Sequence, residues 1–367
     1  MRVLVAPTAF KGTLSPLQSA QAIAEGVRQR FPDAEIDLCP IADGGDGWLE
    51  VWEFHAQGDA QRMPAPARDP LGNPIQTEWL LYQGRVAVME SARACGLRHL
   101  PKPAPMDAST EGVGDLLRSA VVHPQVREIW LGLGGSATTD AGTGALRALG
   151  FQTLDVQANP IPHGGRGLTH LERIIAPDDP LQGRPLVLCA DVENPIVGEQ
   201  GSARIYGAQK GANAEQIALL EAGLERFRQV AQRERGIDLL YRVGSGSAGG
   251  MAGGLSAYLN APIVSGTAWL LKQIGWGERL QRADLLITGE GQVDQQTLMG
   301  KGVGMLVQQA VSLGIPVWLV AGRKGEGWEP LARLPKARLT TCAECAPDLS
   351  PAQALVEAVA SLGAVSG

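Results

Sequence analysis

The stretch that most constrains this chain is Leu285-Leu286-Ile287 running into Thr288-Gly289-Glu290-Gly291. A short apolar run that stops at glycine predicts a buried strand of a parallel sheet. Residues 288–291 are then expected as the loop at its C-terminal end, where open α/β sheets place ligands. Glu290 and Asp294 stand four residues apart there, and Lys301 follows seven residues after Asp294. If the segment after Val293 is helical, seven residues make nearly two turns, and Asp294 and Lys301 share a face. Two acids and a lysine among glycines suit a metal-bound phosphate, because carboxylates hold Mg²⁺ while lysine and backbone N–H groups meet phosphate oxygens. The plainer alternative is a strand–loop–helix junction carrying solvated charges.

The two ends of the chain read as one α/β domain. Residues 3–6 are an apolar strand stopped by Pro7. Ser15, Pro16 and Gln18 form a helix-start signature with a capping box. Leu17, Ala20, Ile23, Ala24 and Val27 recur at helical spacing, and residues 35–38 follow as a second strand. Such a β-α-β unit makes parallel sheet. The next loop, 42–47, brackets a Gly-Gly pair with Asp43 and Asp46, residues suited to cations or hydroxyls and equally to a plain turn. Strands are expected again at 316–320 and 338–341. A last helix is expected with Ser350 as cap and Pro351 at its first position.

The texture changes near residue 62, with prolines at 64, 66, 70 and 74 and then a hairpin pattern around Gln83-Gly84. The boundaries expected are therefore residues 1–62 and 283–367 for a discontinuous Rossmann-like domain, and 63–282 for a second α/β domain inserted into it. A strand at 128–133 opens into a loop of glycines and hydroxyls, residues 132–144, holding Gly134, Gly135, Ser136 and Thr138. Those are the ingredients of an anion cradle. The loop half-matches a dinucleotide fingerprint, with Ala137 in the third glycine's place, but the hydroxyl run and Asp140 would be odd beside a pyrophosphate. No GxxxxGK[ST] occurs, which excludes a P-loop NTPase by pattern. Further on, Asp191 and Asn194 follow a strand at 186–190, and Lys210 precedes a helix capped by Asn213 and Gln216. The glycine-dense run 244–254 is read as helix packing rather than ligand binding.

Composition removes several classes of function. The formal charge is −6 and no basic block occurs, so neither nucleic acid nor an anionic membrane is an expected partner. No apolar run is long enough to span a bilayer, and no signal segment opens the chain. The five cysteines, Cys39, Cys95, Cys189, Cys342 and Cys345, are few and scattered, which fits a reducing cytoplasm. The single CxxC at Cys342 and Cys345 lacks a second pair for zinc.

Six motifs in order resemble the bacterial glycerate kinase family across nearly the whole length. They are P-x-x-F-K-G-x-L-S (from Pro7 to Ser15), A-D-G-G-[ED]-G (from Ala42 to Gly47) and G-x-G-G-S-A-T-x-D-x-G (from Gly132 to Gly142). D-V-x-N-P (from Asp191 to Pro195), Q-K-G-A (from Gln209 to Ala212) and T-G-E-G-x-[IV]-D-x-Q-T-x-x-G-K (from Thr288 to Lys301) complete the set. The resemblance implies a Rossmann-like parallel-sheet domain with an inserted α/β domain, and an active site in the interdomain cleft. It also implies ATP-dependent phosphorylation of D-glycerate to 2-phosphoglycerate with Mg²⁺, by a cytoplasmic monomer or homodimer.

On this reading Asp294 is the first choice for the base, with Glu290 supporting it. Asp191 and Asp43 are candidate metal ligands. Lys11, Lys210 and Lys301 are cations for phosphate or the glycerate carboxylate. Gly134, Gly135, Ser136 and Thr138 cradle the nucleotide, while Asp43, Asp46, Asn194 and Gln292 face the substrate. The chain departs from the family pattern at Thr8 and Ala9, at Trp48, and at Gln292, where an arginine is usual. Two other readings stay open: a nicotinamide-nucleotide-dependent oxidoreductase of a small hydroxy acid, and a degenerate sugar-acid-binding sensor.

Overall fold

The computed structural model describes residues 1–298 and 302–362. Its strands are β1 (Arg2–Val5), β2 (Glu35–Leu38), β3 (Ala60–Arg68), β4 (Pro74–Tyr82), β5 (Val86–Glu90), β6 (Glu128–Gly132) and β7 (Gln152–Leu154). They continue as β8 (Arg173–Ile175), β9 (Leu186–Cys189), β10 (Ile263–Val264), β11 (Leu285–Val293), β12 (Val317–Lys324) and β13 (Ala337–Thr341). The chain divides into two compact units, Met1–Asp43 with Thr267–Gly367, and Gly44–Gly266.

The first unit is built on a sheet ordered β13-β12-β11-β1-β2, parallel throughout. The helix Pro16–Arg30 links β1 to β2 and starts with the expected reciprocal capping box between Ser15 and Gln18. Its face of Ala20, Ile23 and Val27 packs with Val3, Val5, Ile287 and Val320 and with Leu355 and Val359 of the closing helix Pro351–Ala360. β11 is longer than its apolar run predicts. It continues through residues 288–291, expected as loop, to Val293, because Gly289, Glu290, Gln292 and Val293 all pair with β12. Gly289 permits this: a Cβ there would lie 2.0 Å from Val320 O, so only glycine allows the two strands that close.

The second unit carries a mixed sheet ordered β10-β9-β6-β5-β4-β3, with β5, β6, β9 and β10 parallel and β3 and β4 antiparallel. The proline cluster belongs to β3. Pro64 and Pro66 stand at alternate positions of an edge strand, where a missing N–H can face away from the ladder. The hairpin turn between β4 and β5 falls at Gln83 and Gly84, both with positive φ.

The units part at 43/44 and 266/267, whereas the sequence reading cut the chain at 62/63 and 282/283. Side-chain packing moves both boundaries. Trp48 and Trp52 of the helix Trp48–His55 are fully buried, and the Trp52 ring lies edge-on to Tyr82 and tilted against Trp130 of the second unit, with centroids 5.2 and 4.8 Å apart. At the other boundary Trp276 Nε1 donates to Gln309 Oε1 at 2.7 Å, and Arg279 reaches Leu38 O and Asp37 in the first unit. No helix among the described residues is long and apolar enough to cross a membrane.

Candidate active site

Each unit gathers functional side chains at the C-terminal ends of its parallel strands. In the first unit the loop after β1 turns back on itself: Phe10 bridges to Leu14, and Thr13 Oγ1 donates to Phe10 O at 2.7 Å. That turn exposes Lys11. Opposite it the end of β11 presents Glu290, Gln292 and Asp294. Thr297, in the turn Gln295–Leu298, donates its hydroxyl to Glu290 Oε1 at 2.7 Å, while its Oγ1 accepts from the Asp294 backbone N at 3.2 Å. One threonine therefore fixes both acids.

Burial is the main reason that the Glu290 carboxyl is pushed up to about 7. The Thr297 hydroxyl opposes it, the negative charges of Asp294 and Asp43 add to it, and Lys11 partly offsets it. Lys11, Asp43, Glu290, Gln292 and Asp294 thus form one neighbourhood. Gln292 Nε2 donates to Asp294 Oδ2 at 2.9 Å, and its Oε1 accepts from Arg323 Nε at 2.8 Å. Thr8 is bound to the backbone of β11, its N and Oγ1 both donating to Gly289 O, at 2.9 and 3.3 Å. Lys301, with any face it shares with Asp294, lies outside the described residues.

In the second unit the loop after β6 is held from below. Asp140, fully buried, accepts from Thr110 N and Oγ1, both at 2.9 Å, and from the amides of Gly142 and Gly144 at 3.1 and 3.2 Å. This explains the aspartate that looked odd beside a phosphate: it ties the loop together. The glycine-dense run packs against the same loop, and a Cβ at Gly254 would lie 1.8 Å from Ala141 O. Packing, rather than ligand binding, accounts for those small residues.

Above this base the amides of Gly134, Gly135 and Ser136 have no hydrogen-bond partner among the described residues. Lys210 sits differently from a free phosphate cation. It is buried, with Nζ donating to Ser136 Oγ at 3.2 Å and Thr138 O at 2.7 Å, and burial pulls its pKa down to about 8. Its charge acts from beneath the loop. Asp46 is exposed and lies against Gly135, its carboxylate 3.2 Å from where a Cβ would stand.

Asp191 follows β9 and accepts from Ser265 Oγ at 2.7 Å. Asn194 is occupied at both ends of its amide: Nδ2 donates to Gln200 O at 2.8 Å, and Oδ1 accepts from Tyr206 OH at 2.7 Å. That pattern holds the 191–196 loop in shape. Among the described residues no group of three or more His, Cys, Asp or Glu side chains stands ready to hold a metal ion. Trp48 is buried core, so its departure from the family pattern concerns packing.

Sequence reasoning missed three polar residues. Thr297 carried a signal, since a threonine three residues after an aspartate suits a local side chain-to-backbone bond. Arg323 carried none, because its partner is 31 positions away and only the β11–β12 register joins them. Glu90, buried at the end of β5 and accepting from Leu49 N at 3.3 Å, looked like ordinary strand.

Residues 3–364 match the model of the glycerate kinase family. The chain belongs to the glycerate kinase family. A glycerate kinase of Halalkalibacterium halodurans is 39% identical over 89% of this chain and 87% of its own. A glycerate 2-kinase of Escherichia coli K12 is 37% identical over 82% and 80%. A crystal structure from Salmonella typhimurium LT2, assigned as glycerate kinase 2, superposes with a TM-score of 0.81 at 32% identity, covering 98% of this chain and 96% of that one. The family is one of phosphotransferases, and the match does not favour the nicotinamide-dependent reading.

Proposed function

We propose that the chain phosphorylates D-glycerate at the expense of ATP, with Mg²⁺, to give 2-phosphoglycerate. Besides family membership, one observation carries the reading: a half-buried carboxyl pushed up to about 7, Glu290, fixed by Thr297 beside a second acid, Asp294, and within the field of Lys11. Phosphoryl transfer needs positioning and charge neutralisation more than covalent chemistry. Asp294 accepts the proton of the substrate hydroxyl as its oxygen bonds to the γ-phosphorus, and the bond to the leaving ADP oxygen breaks. Glu290, with a pKa suited to proton exchange at neutral pH, supports it. Lys11 supplies positive charge on the same side.

In the second unit the free amides of Gly134, Gly135 and Ser136 suit an anion, with Thr138 and the buried Lys210 setting the shape and sign of the loop. Mg²⁺ bound to nucleotide keeps most of its ligands from phosphate and water and asks the protein for one or two carboxylates. One carboxylate, that of Asp191, fits that requirement, and it would hold the ion while the ion neutralises phosphate charge.

The test is an ADP-release assay across small hydroxy acids, with and without Mg²⁺. D-glycerate should stimulate turnover only with the metal, and chemical analysis of the product should place phosphate at carbon 2. Asp294→Asn keeps size and hydrogen bonding while removing charge, so turnover should fall about 10²-fold or more with the melting temperature nearly unmoved. Equal losses of stability and activity would assign Asp294 a structural role.

A further inference from the structure

Arg323 stands near the end of β12, paired in register with Gln292 on β11. It is exposed, and its Nε donates to Gln292 Oε1 at 2.8 Å. That bond fixes the plane of the guanidinium, whose two terminal nitrogens have no partner among the described residues. Gln292 in turn donates to Asp294 Oδ2 at 2.9 Å, so one amide holds a cationic fork on one side and the proposed base on the other. The neighbouring cation on β12 is committed elsewhere: Lys324 Nζ bonds Glu344 Oε1 at 2.6 Å and lies 4.2 Å from the Trp328 ring centroid. Lys11 is a point charge and lacks the planar pair of donors.

We propose that Arg323 binds the carboxylate of the substrate. A planar fork of N–H groups matches a carboxylate with two parallel bonds. A short hydroxy acid has its carboxylate and hydroxyl on adjacent carbons, so Arg323 and Asp294, joined through Gln292, are placed to take one each. Arg323 is then the residue that selects acids over neutral polyols. The inference rests on the kinase reading given above.

The experiment compares wild type, Arg323→Ala and Arg323→Lys with D-glycerate and with glycerol, an uncharged analogue, at saturating MgATP. Losing a charge-assisted pair of bonds should raise KM for D-glycerate by about ten- to a hundredfold in Arg323→Ala. KM for ATP should stay put, and the preference for D-glycerate over glycerol should fall by the same factor. Lysine should restore only part, since it keeps the charge and loses the fork. An active wild type whose D-glycerate KM moves less than about twofold on Arg323→Ala overturns the inference and leaves the kinase reading standing. So does a parallel loss toward both acid and polyol, or a shift in ATP KM of the same size, because either would mark a structural role. A wild type that phosphorylates no hydroxy acid overturns the kinase reading itself and this inference with it.

Discussion

Glu290 gives the first unit its own dependence on pH. Its carboxyl holds a proton up to about pH 7 in the folded protein, against 4.5 in an ordinary setting. Between those values the folded state binds more proton than the unfolded chain. Stability from this group is therefore whole below about pH 4.5 and is lost as pH rises through 7. At about 1.4 kcal/mol per pKa unit the loss is at most about 3.5 kcal/mol above pH 7. Glu290→Gln abolishes the titration while its amide oxygen still accepts from Thr297. The variant should melt higher than wild type at pH 8 and level with it at pH 5, by scanning calorimetry; an equal gain at both values would show that burial is not penalising the charge. The motif's acids were visible in the sequence as acids. That Glu290 is pushed up was not, because the main cause is burial, with smaller contributions from Asp294 nearby and from Asp43, some 250 positions away in the chain.

At the scale of elements, local signals read well where a single segment settles its own conformation. The capping boxes at Ser15 and Asn213 are both formed, and Gly236 ends the helix Ala214–Arg235 with a left-handed residue. They read poorly where a neighbour decides. β11 runs past its glycines because β12 supplies the ladder, and β3 carries prolines because it lies at an edge. The glycine-dense run was legible as packing, but its partner was not. Gly254→Ala drives a methyl against Ala141 O, inside the loop that carries the free amides. We expect a loss of about 1–3 kcal/mol in urea unfolding, the usual range for overpacking, together with a raised KM for ATP. Unchanged stability would mean that the helix Met251–Leu259 can move away from the loop at no cost.

For the whole molecule, the continuous unit Gly44–Gly266 contains a hydrophobic core cluster drawn from its own residues, from Ala65 on β3 to Ala261 before β10. A fragment of residues 44–266 should therefore fold alone and melt cooperatively in circular dichroism, whereas residues 1–43 should not, since β1 needs β11 beside it. A fragment that stays unfolded would show that its core is incomplete. Sequence alone determined the α/β class, the β-α-β start, the ends of the helices Pro16–Arg30 and Ala214–Arg235 and the family, because these rest on periodicity, caps and short motifs that neighbouring residues enforce. Only tertiary structure decided where the units part, that burial pushes Glu290 up, that Lys210 points inward, and that Arg323 meets Gln292. Each of these depends on what is buried against what, and burial is set by strand order and register between segments far apart in the chain.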